Sequence, residues 1–166
     1  MTGHTERALL FLDVDGTLLP YGGTPLPSTP AGWDEWQSVS HPRLARLVPG
    51  HGARLLALPC ELVWATAWMH DANEVLAPLL GLPQLPVADL PDVPEEDGEA
   101  VLHWKTRPLV DMAAGRPFVW VDDEITEIDR KWVSAHHPGR ALLHRVDSRT
   151  GLTDADFTTL DHWLKS

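Results

Sequence analysis

Two acidic pairs carry the chemistry that this sequence offers. Asp13 and Asp15 lie in FLDVDGTL, residues 11–18, and Asp122 with Asp123 lies in FVWVDDE, residues 118–124; each pair closes a run of apolar residues. Carboxylates forced together repel, so each pair requires a cation or a shared proton. Two such pairs at the ends of buried strands are a poor structural design unless they share the cation. Ligands that are all oxygen select a hard ion, and Mg²⁺ held by few carboxylates together with phosphate and water is the usual solution. Gly16 lets the chain turn sharply after the first pair and brings backbone N–H groups near an anion, with Thr17 following it.

Placing these residues at one edge requires a particular set of elements. Apolar runs of strand length alternate with segments of helical period, the pattern of a parallel sheet covered on both faces by helices. Strands are predicted at Ala8 to Asp13, Glu61 to Thr66, about Leu85 to Val87, Pro117 to Asp122 and Ala141 to Val146. The first, ALLFLD, is nearly all apolar and belongs at the sheet's centre. Helices are predicted at His51 to Leu58, Asp71 to Leu80, Thr106 to Ala114, Ile125 to His136 and Asp154 to Leu164. Gly81 before Pro83, Gly115 before Pro117, and Pro138-Gly139 are stop signals, and Thr153 with Asp156 starts the last helix as a capping box with Asp for Glu. The expected fold class is α/β, a three-layer Rossmann-like, doubly wound parallel sheet of about five strands. In such sheets ligands bind at the carboxyl ends of the strands, where both acidic pairs fall. Pro20 to Gly32 and Ala88 to Gly98 are too rich in Pro, Gly or charge for regular structure and read as surface loops.

D-x-D-G-T arises by chance in on the order of one chain of this length in several hundred. With the strand before it, this motif resembles the first motif of the haloacid dehalogenase-like (HAD) superfamily. The resemblance runs on in the family's order: Thr66 in LVWATAW matches the Ser or Thr ending the second core strand, Lys105 in HWKTRPL matches the Lys near a helix start, and Asp122 and Asp123 match the acidic pair of the fourth motif. It implies a phosphomonoester hydrolase in which Asp13 attacks phosphorus and Asp15 acts as acid and then base. It also implies that Thr66 donates a hydrogen bond to the phosphoryl group, that Lys105 offsets charge, and that Mg²⁺ is held by Asp13, the Asp15 carbonyl, Asp122 and Asp123. Asp15 argues against a dehalogenase, since a departing halide needs no proton. The intervals from Asp15 to Thr66 and from Thr66 to Lys105 leave no room for a separate cap domain, so residues 18–50 provide at most a flap. The segment WATAWMHDAN, residues 64–73, further resembles HAD phosphatase domains associated with RNA-repair proteins.

At 166 residues, 43% hydrophobic and 22% charged, the chain is expected to form one domain, residues 1–166, without a membrane span. Its polar N-terminus lacks the zones of a secretory signal, so a cytoplasmic location is expected. The net charge of −11 disfavours long duplex nucleic acid. A phosphorylated small molecule or a macromolecular terminus fits an open, acidic site better, and the sequence leaves the oligomeric state open. Of the eight tryptophans, Trp64, Trp120, Trp132 and Trp163 read as packing residues, whereas Trp68, with His70, is placed to line the site and stack on a ring. Trp33 and Trp36 read as anchors of the irregular segment, and Arg107 is a further candidate for a phosphate contact. One cysteine, Cys60, excludes an internal disulfide, and the nine histidines show no zinc-binding spacing. Two alternatives accompany the hydrolase reading: a phosphotransferase of the same fold, and a non-catalytic binding or regulatory module. Intact Asp13, Asp15, Lys105 and Asp122 argue against the module.

Overall fold

In the computed structural model, residues 7–21, 44, 46–91 and 101–166 are described. Trp33, Trp36 and most of the expected flap lie outside them. Four parallel strands, β1 (Ala8–Leu12), β2 (Cys60–Trp64), β3 (Phe118–Asp122) and β4 (Ala141–Arg145), form one sheet in the order β2-β1-β3-β4. The all-apolar β1 is central, as its sequence requires. Leu12 is in register with Trp64 on one side and Val121 on the other. Asp13, Thr66 and Asp122 therefore emerge along one carboxyl edge.

Alternation along the strands divides the core into two layers. Leu10, Leu12, Leu62, Trp64, Val119 and Val121 face the side of α1 (Gly50–Leu56), α2 (Ala77–Leu80) and α5 (Asp154–Lys165), whose buried residues Leu55, Leu80, Phe157 and Leu160 join them. Leu9, Phe11, Val63, Phe118, Trp120 and Leu143 face α3 (Thr106–Ala113) and α4 (Glu127–His136), through Leu109, Ala113 and Val133. The three-layer α/β architecture is thus present, and no separate cap is evident among the described residues. Asp122 continues the parity of Phe118 and Trp120 and so projects toward α3, where Lys105 waits.

Two elements differ from the expectation, both through proline. The strand predicted near Leu85 to Val87 is reduced to an isolated parallel bridge between Trp64 and Val87, flanked by Trp64 N–H to Pro86 O at 2.9 Å and Ala88 N–H to Trp64 O at 2.8 Å. Pro83 and Pro86 have no N–H with which to extend a ladder. The helix predicted from Asp71 to Leu80 begins instead as a π-helical turn, Ala72–Leu76, before α2. Pro78 lies at the start of α2, and its missing donor breaks the regular i to i−4 pattern there. The capping box at Thr153 and Asp156 forms as expected.

α1 meets α2 closely at Gly52, where an added Cβ would stand 1.8 Å from the Leu80 carbonyl oxygen. Gly52→Ala should therefore destabilise the chain by about 1–3 kcal/mol, the usual cost of overpacking. Urea denaturation measures this, and an unchanged midpoint would contradict the packing of these two helices.

Candidate active site

Asp13 follows β1 directly and is buried, with its N–H bonded to Val121 O at 3.1 Å. The chain then folds back on itself: Gly16, Thr17, Leu18 and Leu19 all take part in backbone hydrogen bonds of the turn, three of them donated to Val14 O. Gly16 has φ +79°, a left-handed conformation natural to glycine. Its N–H donates to Leu19 O at 2.9 Å, so this amide is committed to the turn rather than held toward an anion. The absent side chain has a second use. A Cβ at Gly16 would lie 2.3 Å from Asp123 Oδ2, so glycine is what allows the two acidic motifs to close on each other. The Thr17 hydroxyl donates to Asp13 Oδ2 at 3.2 Å, orienting the carboxylate instead of facing outward.

Lys105 immediately precedes α3 and is only 3% exposed. Its Nζ donates to Asp13 Oδ1 at 2.9 Å and to Asp122 Oδ2 at 2.8 Å. Asp122 Oδ2 also accepts the Trp120 indole N–H at 3.2 Å, and Oδ1 accepts the Glu124 backbone N–H at 3.0 Å. Carboxylate oxygens of Asp13, Asp122 and Asp123 lie within 4.8 Å of one another. This all-oxygen donor set suits a hard divalent cation, and the ammonium on one flank leaves a surplus of negative charge for it to neutralise.

Asp15 is half-buried, and its Oδ2 accepts the Trp68 indole N–H at 3.0 Å. Trp68 itself is buried within the α1–α2–α5 layer. It holds Asp15 rather than presenting a face for stacking, contrary to the sequence expectation. Thr66 is buried, and its hydroxyl oxygen accepts the Trp68 backbone N–H at 3.2 Å, which leaves the hydroxyl proton for donation. His70 is exposed on the following turn. Arg107 is exposed in the first turn of α3, with its guanidinium 5.8 Å from the Trp132 ring centre; it leans on α4 instead of on Asp13.

Several contributors lay beyond the sequence reading. His103 is buried, its Nδ1 accepts the Lys105 N–H at 3.2 Å, and its Nε2 lies 3.3 Å from Glu124 Oε1. A ring whose Nδ1 accepts carries its proton on Nε2, so His103 donates to Glu124. Fully buried Asp129 accepts the His103 N–H and the Thr106 hydroxyl, both at 2.8 Å, and the Thr126 N–H at 2.9 Å. One carboxylate thereby ties the lysine segment to the start of α4. Trp120, two residues before Asp122 on the same face, was available from alternation. Tyr21 has no such signal; its Cε2 lies within 3.1 Å of the place a Gly16 Cβ would take. Burial and the charges of Asp15, Asp123 and Asp13 push its phenol well above the usual range.

The titration of the acids reports their crowding. Burial and the charge of Asp122 raise Asp13 to about 7 against the pull of Lys105. Burial and the charges of Asp13 and Asp122 raise Asp123 to about 10. Burial also works against ionised Asp122, but Lys105 and His103 outweigh it and hold this carboxyl below its ordinary value. Burial disfavours charged Lys105, yet Asp122 and Asp13 raise it. For His103, too, burial is outweighed, here by the Glu124 hydrogen bond and the charge of Asp122, and the net shift is upward.

This arrangement, a parallel sheet with a nucleophile-capable Asp, a second Asp two residues on, and a lysine bridging to an acidic pair on the neighbouring strand, defines a HAD-like domain. Residues 9–157 match the family described as the HAD domain in Swiss Army Knife RNA repair proteins, and the chain belongs to that family. Among solved structures, the HAD domain of the effector protein Lem4 from Legionella pneumophila is similar in fold, with a TM-score of 0.52 and 12% sequence identity over 96% of this chain and 98% of that one. No curated protein sequence matched.

A pH dependence follows from the raised carboxyls. Without metal, protons on Asp13 and Asp123 stabilise the fold fully below the ordinary carboxylate pKa, and this contribution is lost as pH rises through about 7 and about 10. His103, also raised, changes in the same direction. A divalent cation competes with these protons, so the rise in melting temperature on adding Mg²⁺ should be larger near pH 8 than near pH 5.5. Asp13→Asn, which removes the carboxyl that titrates between these two pH values, should flatten the difference. Equal increments at both pH values would refute the coupling.

Proposed function

We propose that this chain is a Mg²⁺-dependent phosphomonoester hydrolase that works through an aspartyl-phosphate on Asp13, with a phosphorylated nucleotide or nucleic-acid terminus as substrate. The observation that carries this reading is Lys105 Nζ bridging buried Asp13 and Asp122 at 2.9 and 2.8 Å, with Asp123 beside them. The lysine and the Thr17 hydroxyl orient the Asp13 carboxylate, while membership of a family found in RNA repair proteins supports the substrate class.

In the first step an Asp13 carboxylate oxygen attacks phosphorus and the bond from phosphorus to the leaving oxygen breaks. That oxygen takes a proton from Asp15, which the Trp68 indole holds at 3.0 Å. In the second step Asp15 takes a proton from water as the water oxygen attacks phosphorus, the bond to Asp13 breaks, and inorganic phosphate leaves. Thr66 O–H and Lys105 donate to the phosphoryl oxygens as charge builds on them. A magnesium ion held by Asp13, the Asp15 carbonyl, Asp122 and Asp123 would supply charge neutralisation for the phosphoryl group.

Phosphate release from an aryl phosphate should require Mg²⁺, disappear in Asp13→Asn, and fall by about 10²–10⁴-fold in Asp15→Asn. Lys105→Met should lose activity as well. Wild-type turnover in Asp13→Asn would eliminate the covalent route, and Mg²⁺-dependent phosphoester binding without turnover would favour a binding module.

A further inference from the structure

A run of planar and cationic groups leaves the candidate site along α3 and α4. The Trp104 ring centre is 5.6 Å from Lys105 Nζ, the same nitrogen that contacts Asp13. Trp104 is half-buried and, with Arg107, lines a groove of about 500 Å³ walled otherwise by Val101, Leu102, His103 and two prolines. The Arg107 guanidinium sits 5.8 Å from the Trp132 ring centre, and Trp132 stacks on His136 at 4.0 Å with 12° between the planes. Trp132 and His136 are one helical turn apart on α4, and Arg107 and His136 are exposed.

We propose that this track, Trp104–Arg107–Trp132–His136, binds the terminal nucleotides of a single-stranded nucleic acid whose end phosphate lies at Asp13; the proposal rests on the hydrolase reading of that site. Trp104 already stacks on His103 and Trp132 on His136, so a base adds to a stack that the side chains have begun, and the interleaved guanidinium adds attraction to both the base and the backbone phosphate. A duplex is a poor occupant, because its stacked bases offer no free faces and the chain's charge of −11 opposes its dense phosphates. A free mononucleotide reaches Trp104 but leaves Trp132 unused. The track starts beside Lys105, which contacts Asp13, and spans two helices, so it selects a strand end over a single nucleotide.

Phosphate release is measured with wild type on single-stranded RNA of about six nucleotides carrying a 3′ or 5′ phosphate, on the matching mononucleotides, and on a phosphotyrosyl peptide. At least one RNA end should exceed its mononucleotide about tenfold in kcat/KM, and Trp132→Leu or Arg107→Gln should remove most of that advantage through KM. In parallel, fluorescence anisotropy with the same labelled RNA and Asp13→Asn protein should show binding that weakens about tenfold on adding Trp132→Leu. Arg107→Gln alters an exposed side chain, and melting curves identify any loss of folding in the tryptophan variant. Equal kcat/KM for RNA and mononucleotide, equal effects of the substitutions on both, or a peptide preference that depends on Trp132 would overturn the track. If no substrate yields phosphate, the hydrolase reading fails while the anisotropy still decides the track: RNA binding weakened by Trp132→Leu supports it, and its absence overturns it.

Discussion

The structure turns on a single ammonium group. Lys105 sits in a buried position between Asp13 and Asp122, which lie at the carboxyl ends of adjacent strands. Removing an ammonium and two carboxylates from water costs several kcal/mol per ion, and only short, well-directed contacts return that energy. Each partner is accordingly over-determined. Thr17 holds Asp13, and the Trp120 indole and the Glu124 amide hold Asp122. The lysine cannot be moved without leaving two buried carboxylates uncompensated, so the chain invests further contacts in keeping it still.

Those contacts explain an otherwise odd use of polar residues in the α3–α4 layer. Asp129 belongs to the first turn of α4, where a carboxylate favours the helix dipole, yet it also accepts from His103 and Thr106 in the segment that delivers Lys105. His103 then accepts the Lys105 amide and reaches Glu124, just beyond the second acidic pair. The result is a closed path of hydrogen bonds from the start of α4 through the lysine to the end of β3. Geometry at Asp13 is thus referred to two helices and two strands, the positioning of charge that the proposed phosphoryl chemistry would require.

The legible part of this arrangement was written in short-range pattern. The apolar β1 with Asp13 at its end, Trp120 and Asp122 on one face, and Thr153 with Asp156 are all readable because strand alternation and capping act over a few residues. The proline effects at Pro78 and Pro86 were present in the sequence but were outweighed there by apolar periodicity. His103, Glu124, Asp129 and Tyr21 could not be placed in the same way. Their roles depend on which loop meets which across the carboxyl edge, a contact between segments far apart in the chain. Trp68 shows the same boundary from the other side: its position directly after β2 was readable, but not that its ring would turn into the core and its N–H toward Asp15.

The acidic crowding also bears on how an anion approaches a chain of net charge −11. Without a cation, Asp13 and Asp123 keep their protons to about 7 and about 10, so the cluster limits its own charge. With a divalent cation, the ion and the Lys105 ammonium together balance Asp13, Asp122 and Asp123, and the site ceases to repel phosphate. The long-range field of the remaining acids still acts beyond a Debye length only weakly, since salt screens it over about 8 Å. Local cations therefore decide where a phosphate can rest. Arg107 lies outside the balanced cluster on the α3 side, so the asymmetry it creates would draw the rest of an anionic substrate toward Trp104 and Trp132. Stacking on the proposed track would complement the electrostatics, because it adds affinity that does not depend on a net positive charge.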